Sequence, residues 1–372
     1  MSAELSRTAA KSATRTARLL LENGLELSAR VFGAPISTQG EVVFNTGMVG
    51  YPESLTDPSY RGQILVMTYP LIANYGVPKR SQSDYLDSNF ESQRIQVAGL
   101  VVSTLSNDYS HWHADSSLSA WLEEENIVGL EGIDTRELTK VLRHGGTVAG
   151  KIIVEGDEDR VSADGPFDDI SKRNLVAEVS VDEPVLYNPD GKKRVVLVDC
   201  GCKANIVRSL VRREVSVLRV PWDHDINDTD GDAIFVSNGP GDPKMASKTV
   251  DNLRIALQGT RPVLGICLGN QLVGRAAGCD TYKLQFGHRS QNQPCIEVGT
   301  QRCYITSQNH GYALDTKTLP EGWQEWFVNA NDQSNEGIRH QEKPFFTVQF
   351  HPEATPGPED TSFLFDRFVE AL

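Results

Sequence analysis

Three separated segments of this 372-residue chain carry side chains suited to thiol acyl transfer. The first is Gly265-Ile266-Cys267-Leu268-Gly269-Asn270-Gln271. It follows the apolar run Pro262-Val263-Leu264 and precedes a small-residue helical pattern, Leu272 to Ala277. A cysteine between near-flanking glycines at a strand-to-helix turn is the sulfur version of a nucleophile elbow. The glycines are expected to tolerate the strained backbone that lifts the side chain into a cleft. The start of the following helix favours thiolate over thiol. The second segment, Phe345-Phe346-Thr347-Val348-Gln349-Phe350-His351-Pro352-Glu353, reads as an apolar strand ending in histidine, proline and glutamate. Alternate strand residues share a face, so Glu353 can orient His351 as a general base. The third is Asn238-Gly239-Pro240-Gly241-Asp242-Pro243, a stiffened loop after the buried strand Ala233 to Ser237. A glycine amide of this loop and the Leu268 amide are candidate donors to an oxyanion. A fourth segment, Ser307-Gln308-Asn309-His310-Gly311-Tyr312, reads as a polar loop after the strand Cys303 to Thr306 and could line a pocket.

The surrounding pattern says what must position these groups. Helical and strand periodicities alternate through Arg194–Asp199, Asn205–Arg212, Val215–Val220, Ala233–Ser237, Thr249–Leu257 and Pro262–Ile266. This predicts an α/β domain with an open, largely parallel sheet and helices on both faces, its ligand site at the strand carboxyl ends. The chain closes with an amphipathic helix, Ser362 to Leu372. A smaller α+β domain precedes it. There, Arg18 to Val31 reads as a hairpin about Asn23-Gly24. Glu41–Phe44, Gln63–Thr68 and Val97–Ser103 read as strands, and helices start near Ser116 or Ser117 and at Asp134, the latter stopping at Gly145-Gly146. The expected division is a basic tail (1–18), an N-terminal domain (19–154), a linker rich in Asp, Gly, Pro and Ser (155–191), and the site-bearing domain (192–372).

Composition narrows the classes of function. A formal charge of −14 argues against nucleic acid as a partner. No stretch of about twenty apolar residues suggests a membrane span. Cysteines 200, 202, 267, 279, 295 and 303 show no zinc-ligand spacing, and all but Cys267 read as reduced thiols, mostly packing residues, of an intracellular protein. His111 and His113 lack a third ligand, so no metal site is expected. Met1 to Arg18 carries four basic residues against Glu4 alone, the composition of a mitochondrial presequence or of a disordered basic tail. A cytoplasmic location is favoured, with the mitochondrial matrix as the alternative.

Together the four segments resemble a class I glutamine amidotransferase. The N-terminal half extends the likeness through Gly40-Glu41-Val42-Val43-Phe44-Asn45-Thr46-Gly47-Met48-Val49-Gly50-Tyr51-Pro52-Glu53, Leu55-Thr56-Asp57-Pro58-Ser59-Tyr60 and Ile133-Asp134-Thr135-Arg136-Glu137-Leu138-Thr139. From about residue 19 onward the chain is similar to the glutaminase subunit or domain of carbamoyl phosphate synthetase, in its eukaryotic form. The resemblance implies that Cys267 attacks the amide of L-glutamine, that His351 protonates the departing ammonia and then activates water, and that Glu353 orients His351. It implies glutamine or oxyanion contacts at Gly239, Gly241, Leu268, Gln271, Asn309, Gly311 and Tyr312. It implies no cofactor in this chain. ATP and a divalent metal would serve the synthetase partner, a large subunit or domain that makes carbamoyl phosphate for pyrimidine or arginine and urea synthesis. Gly47 and Asn270 depart from the bacterial pattern of serine and histidine, and Tyr312 replaces the usual phenylalanine. The first two motivate the alternative of a weakly active or inactive regulatory domain.

Overall fold

The computed structural model describes residues 15–83 and 86–372. Most of the stretch read as a basic tail lies outside the described residues, but its end, from Thr16, already belongs to a strand. That strand, β1 (Thr16–Leu21), pairs with β2 (Glu26–Gly33) across the expected turn. Gly24 takes φ 90°, and the Leu25 amide donates to Asn23 Oδ1 at 3.1 Å.

Seven strands close a barrel: β1, β2, β3 (Thr38–Asn45), β4 (Gln63–Met67), β5 (Gly99–Val102), β6 (Val128–Glu131) and β7 (Val148–Val154), in the order β1-β7-β3-β4-β5-β6-β2. Strands β4 and β5 are buried throughout, which is why they read as unbroken apolar runs. Alternate residues feed two cores. Val42, Ile64, Val66 and Val101 pack with Leu138 and Leu142, whereas Val43, Leu65 and Leu100 pack with Leu55, Trp121 and Leu122. Short helices supply those partners. α1 (Tyr51–Thr56) follows Gly50 at φ 80°. α2 (Leu118–Glu124) is capped by Ser117, whose side chain accepts from the Ala120 amide. α3 (Thr135–Gly145) is capped by Asp134, which accepts from the Glu137 amide, and ends at Gly146 with φ 86°.

The stretch 155–191 carries structure of its own. α4 (Leu175–Val179) places Glu178 between Arg173 and Arg61, the latter from the barrel side, at 2.8 and 3.0 Å. β8 (Val185–Tyr187) then becomes the edge of the second sheet.

That sheet has ten strands: β8, β9 (Arg194–Asp199), β10 (Ser216–Pro221), β11 (Ala233–Val236), β12 (Val263–Ile266), β13 (Asp280–Glu297), β14 (Cys303–Asp315), β15 (Trp323–Asn329), β16 (Asn335–His340) and β17 (Phe345–Val348). Their order is β8-β10-β9-β11-β12-β17-β16-β15-β13-β14. The expected parallel sheet is the central five, β10-β9-β11-β12-β17. Beyond β17 an antiparallel wing of four strands extends it. α5 (Ala204–Val211) and α8 (Phe363–Glu370) pack on one face. α6 (Ser247–Ala256) and α7 (Leu268–Ala277) cover the other.

Two local expectations are corrected. Ser307 to Tyr312 is not a loop but the middle of β14, paired with β13 through Gln308, Asn309, His310 and Tyr312. Its polarity and glycine mimic a loop because this part of the strand faces a cleft rather than a core. Conversely, β17 stops at Val348, so His351 and Glu353 lie past the strand, in a turn closed by the Ala354 amide on the His351 carbonyl at 3.0 Å.

Candidate active site

Cys267 sits between β12 and α7 with φ 55° and ψ −105°. A non-glycine residue held there stores roughly 1–3 kcal/mol of strain. The turn is pinned by the Cys267 amide donating to the Val348 carbonyl at 2.9 Å. The flanking glycines do not carry the strain, contrary to expectation: neither Gly265 nor Gly269 has positive φ. They permit close approach. A Cβ on Gly265 would lie 2.6 Å from the Gly269 carbonyl, and one on Gly269 would lie 2.2 Å from Val236 O. The elbow therefore presses the first turn of α7 against β11 and β12, and only hydrogens fit between. The buried sulfur lies 3.6 Å from the Asn309 carbonyl oxygen.

His351 and Glu353 meet despite lying beyond the strand, with Nδ1 and Oε1 2.6 Å apart. Glu353 is also contacted by Lys203, whose Nζ is 3.2 Å from the same oxygen and donates to Ala354 O at 2.6 Å. The Lys203 and Glu353 side chains are 4% and 0% exposed, so this is a dry ion pair. Burial alone would raise the Glu353 pKa, but Lys203 and His351 outweigh it and hold the carboxyl down at about 2. Burial opposes charge on His351 as well; Glu353 and the Cys267 sulfur overcome it and raise the imidazole to about 10. An acceptor-only carboxylate fixes the proton on Nδ1 and leaves Nε2 as the working atom. Nε2 makes no hydrogen bond to the protein.

The cleft in front of Cys267 is lined by all seven expected contact residues: Gly239, Gly241, Leu268, Gln271, Asn309, Gly311 and Tyr312. His351 lines a small adjoining polar pocket with Asn45, Asp57, Tyr60 and Lys203, and Asn309 borders both. Gly241 needs its glycine for φ 87°, while a Cβ on Gly239 would lie 1.9 Å from Cys200 O. The Gln271 amide donates to Tyr312 O at 2.8 Å and to Gln349 Oε1 at 3.1 Å, which joins α7 to β14 across the cleft floor. Burial and the nearby Asp242 carboxylate push the Tyr312 phenol pKa up.

Several cleft residues had no signal in the sequence. Glu41, Ser59 and Gln63 come from the barrel, so the N-terminal domain helps to wall a site that was expected in the other domain alone. Lys283 bridges to Glu41 at 2.7 Å, and Gln63 donates to the same carboxylate at 2.9 Å. Burial would raise the Glu41 pKa, but Lys283 and Arg289 win and lower it. Arg289 is itself buried, with Nε unpartnered, and burial lowers its pKa. Lys203 carried one weak cue, its place just after β9 at the same sheet edge as the elbow.

Of the three departures from the bacterial pattern, Tyr312 lines the cleft, whereas Gly47 and Asn270 sit away from its lining. The Gly47 amide donates to Asn45 Oδ1 at 2.6 Å, and a Cβ there would lie 2.6 Å from the Gln291 amide nitrogen. Asn270 is fully buried, donating to Gln349 Oε1 at 3.1 Å and accepting from Thr347 Oγ1 at 2.6 Å. It ties α7 to β17. The fold assembles one cluster that no spacing in the sequence announces: ligand atoms of His288, His310 and Glu336 lie within 4.8 Å of one another. Both His288 nitrogens are already engaged, with Asp332 at 2.8 Å and Gln308 at 3.0 Å. Burial opposes charge on His288, yet Asp332 and Glu336 raise it to about 9, so the cluster is a hydrogen-bonded ion group. Among the described residues, no helix is long and apolar enough to cross a membrane.

Comparison with known proteins agrees with this architecture. Residues 196–371 match the family described as glutamine amidotransferase class-I. The chain belongs to that class. Residues 19–152 match the carbamoyl-phosphate synthase small chain, CPSase domain, so within the class it belongs to the carbamoyl phosphate synthetase small-chain family. It is 50% identical to the multifunctional protein pyr-3 of Neurospora crassa, over 95% of this chain and 21% of that protein. It is 50% identical to the multifunctional protein CAD of Squalus acanthias, over 95% and 16%. Against the mitochondrial carbamoyl-phosphate synthase [ammonia] of Mus musculus the figures are 49%, 96% and 24%. The chain thus spans between 16 and 24% of the length of these curated relatives.

Proposed function

We propose that this chain hydrolyses L-glutamine to glutamate and ammonia and delivers the ammonia to a carbamoyl phosphate synthetase partner. Cys267 Sγ attacks the side-chain amide carbon, and the resulting oxyanion takes hydrogen bonds from the Leu268 amide and a glycine amide of the 239–241 loop. His351 gives its proton to the departing nitrogen, which leaves as ammonia, and a glutamyl thioester remains on the sulfur. The neutral imidazole then takes a proton from water. The hydroxide displaces the sulfur, releasing glutamate and restoring the thiolate–imidazolium pair. Glu353 holds the ring and its charge through both halves. The reading rests on one observation: Cys267 is strained into a cleft walled by all seven expected contact residues, with His351 and Glu353 paired behind it.

ATP, bicarbonate and a divalent metal act on the partner, whose carbamoyl phosphate serves pyrimidine or arginine and urea synthesis. The alternative is a weakly active or inactive regulatory domain, which Gly47 and Asn270 motivate; the hydrogen bonds of both residues within the scaffold favour the active reading. The deciding experiment is a glutaminase assay on wild type and Cys267→Ser, with and without the synthetase partner, ATP and bicarbonate. Turnover should vanish in the variant while the melting temperature holds. Turnover retained in Cys267→Ser would reject the proposal.

A further inference from the structure

Asp57 is a barrel-side residue that touches neither Cys267 nor His351, yet three groups converge on it. Oδ1 accepts from the Ser59 amide at 2.9 Å, capping the short 3-10 turn Pro58–Tyr60. The same oxygen lies 3.4 Å from Asn238 Nδ2, which also donates to Ser59 Oγ at 2.9 Å. Oδ2 accepts from Asn309 Nδ2 at 3.0 Å. Asn238 opens the loop that carries Gly239 and Gly241, and its own Oδ1 accepts from the Lys203 amide at 3.0 Å. Asn309 lines the cleft, and its carbonyl oxygen lies 3.6 Å from the nucleophilic sulfur. All these bonds are buried.

We propose that Asp57 is a positioning residue of the glutaminase site, supplied by the N-terminal domain, which sets the Asn309 side chain and the 238–241 loop against Cys267. The inference rests on the function proposed above and deepens it. A carboxylate can only accept, so it dictates which end of the Asn309 amide faces it. Nδ2 is turned to Asp57, and Oδ1, which no protein donor reaches among the described residues, is left for a donor on the substrate. The amide of the glutamine side chain and the substrate's ammonium group are such donors. The two carboxylate oxygens divide the work: one caps the local turn, the other reaches across to the second domain. The glutamine site is therefore incomplete without the barrel.

The division makes the test selective. Asp57→Asn keeps an oxygen for the Ser59 amide but sets an amide nitrogen against the Asn309 nitrogen, so two donors face each other. Asp57→Ser keeps the cap and is too short to reach Asn309, and it replaces Asp57→Asn should that variant not fold. The expected result is a glutamine KM raised about tenfold or more, with kcat falling less, because a charge-assisted hydrogen bond to a substrate-binding amide is lost. Labelling of Cys267 by a glutamine-shaped chloroketone should slow by a similar factor, while labelling by iodoacetamide stays within about twofold of wild type. In an Asn309→Ala background the Asp57 substitution should add almost nothing, since both act on one contact. An unchanged KM, equal slowing with both reagents, or additive losses in the double variant would each overturn the proposal. Should wild type hydrolyse no glutamine even with its partner, the functional reading fails, and the comparison of the two reagents still decides the role of Asp57.

Discussion

Gly269→Ala is the sharpest test of the elbow's geometry. The added methyl would lie 2.2 Å from Val236 O and 3.1 Å from Ser237 O, both main-chain atoms of the strand end that leads into the 239–241 loop. Ordinary contact begins at 3.4 Å, so the first turn of α7 must retreat by about 1.2 Å or the strand end must bend. Either way Cys267 and the Leu268 amide move relative to the loop glycines, because the sulfur, the proposed oxyanion donor and the clash all lie within one helical turn. A displacement of about 1 Å at reacting groups costs roughly a hundredfold in rate. Overpacking of this kind costs about 1–3 kcal/mol of stability. The two effects are separated by Gly278→Ala at the other end of the same helix. There φ is 116° with nothing within 4 Å of the new Cβ, so the change strains the backbone without touching the site. Measured by glutaminase kcat and by urea denaturation, Gly269→Ala should lose about two orders of magnitude in kcat. Gly278→Ala should lose about 1 kcal/mol of stability with kcat unchanged. Equal activity in the two variants, at equal destabilisation, would refute the claim that close packing at Gly269 sets the position of the sulfur.

Glu353→Gln removes the anion that raises His351 against burial, so the ring pKa should drop from about 10 toward or below its ordinary value. The pH profile of Cys267 alkylation should shift with it; an unmoved profile would contradict the assigned role of the carboxylate. The same pair predicts two opposite stability slopes. Glu353, held at about 2 against an ordinary 4.5, contributes stability that is present above 4.5 and lost as pH falls through about 2. His351 contributes stability that is present below 6.5 and lost as pH rises through about 10. Melting curves across pH should show both slopes in wild type and lose both in Glu353→Gln. Asn270→Ala should cost about 1–3 kcal/mol in chemical denaturation, since it removes two buried hydrogen bonds, one to Gln349 Oε1 and one from Thr347 Oγ1, while the glutamine KM stays constant. A raised KM would move Asn270 from the fold's scaffold into the substrate site.

What could be read from the residues was local. Asp134 with a helix behind it, Asn23-Gly24 between two alternating strands, and an elbow cysteine after an apolar run each advertise their structure within a few positions. Closure of the barrel does not, because it depends on Ala17 pairing with Val154, a register set by strands far apart in the chain. The antiparallel wing was invisible for a related reason: β13 runs 18 residues with register shifts near Lys283 and Ser290, so its alternation breaks where its partner changes. At the site, residues that face the cleft from within a strand looked like a loop, since solvent-facing polarity and glycine carry the same composition in both. Glu41 was hidden because its signal is its neighbour Lys283, more than two hundred residues away, and Gln63 reaches the cleft beside it. The chemistry of a side chain is local, but its address is not.

The buried charges behind His351 show why this site is joined to the barrel. Lys203 faces Glu353, and Arg208 faces Glu91, whose carboxylate also takes the Asn205 amide at 3.0 Å. Glu91 comes from the N-terminal domain; Lys203, Asn205 and Arg208 flank or form the start of α5. Burial raises the Glu91 pKa, even though Lys203 and Arg208 pull the other way. Such groups are poor sources of stability, because the desolvation of each ion nearly offsets the attraction between them. Their effect is on geometry. With two acids and two bases in a dry space, any arrangement that separates one partner leaves a bare charge, so alternative dockings of the two domains are strongly disfavoured. Fixing α5 in this way fixes Lys203, and Lys203 fixes the carboxylate that sets the proton on His351. The barrel thus meets the proposed site at two places, through Glu91 beside the Lys203–Glu353 pair and through Asp57 beside Asn309, and the two are joined by Asn238, which bonds both Asp57 and the Lys203 amide.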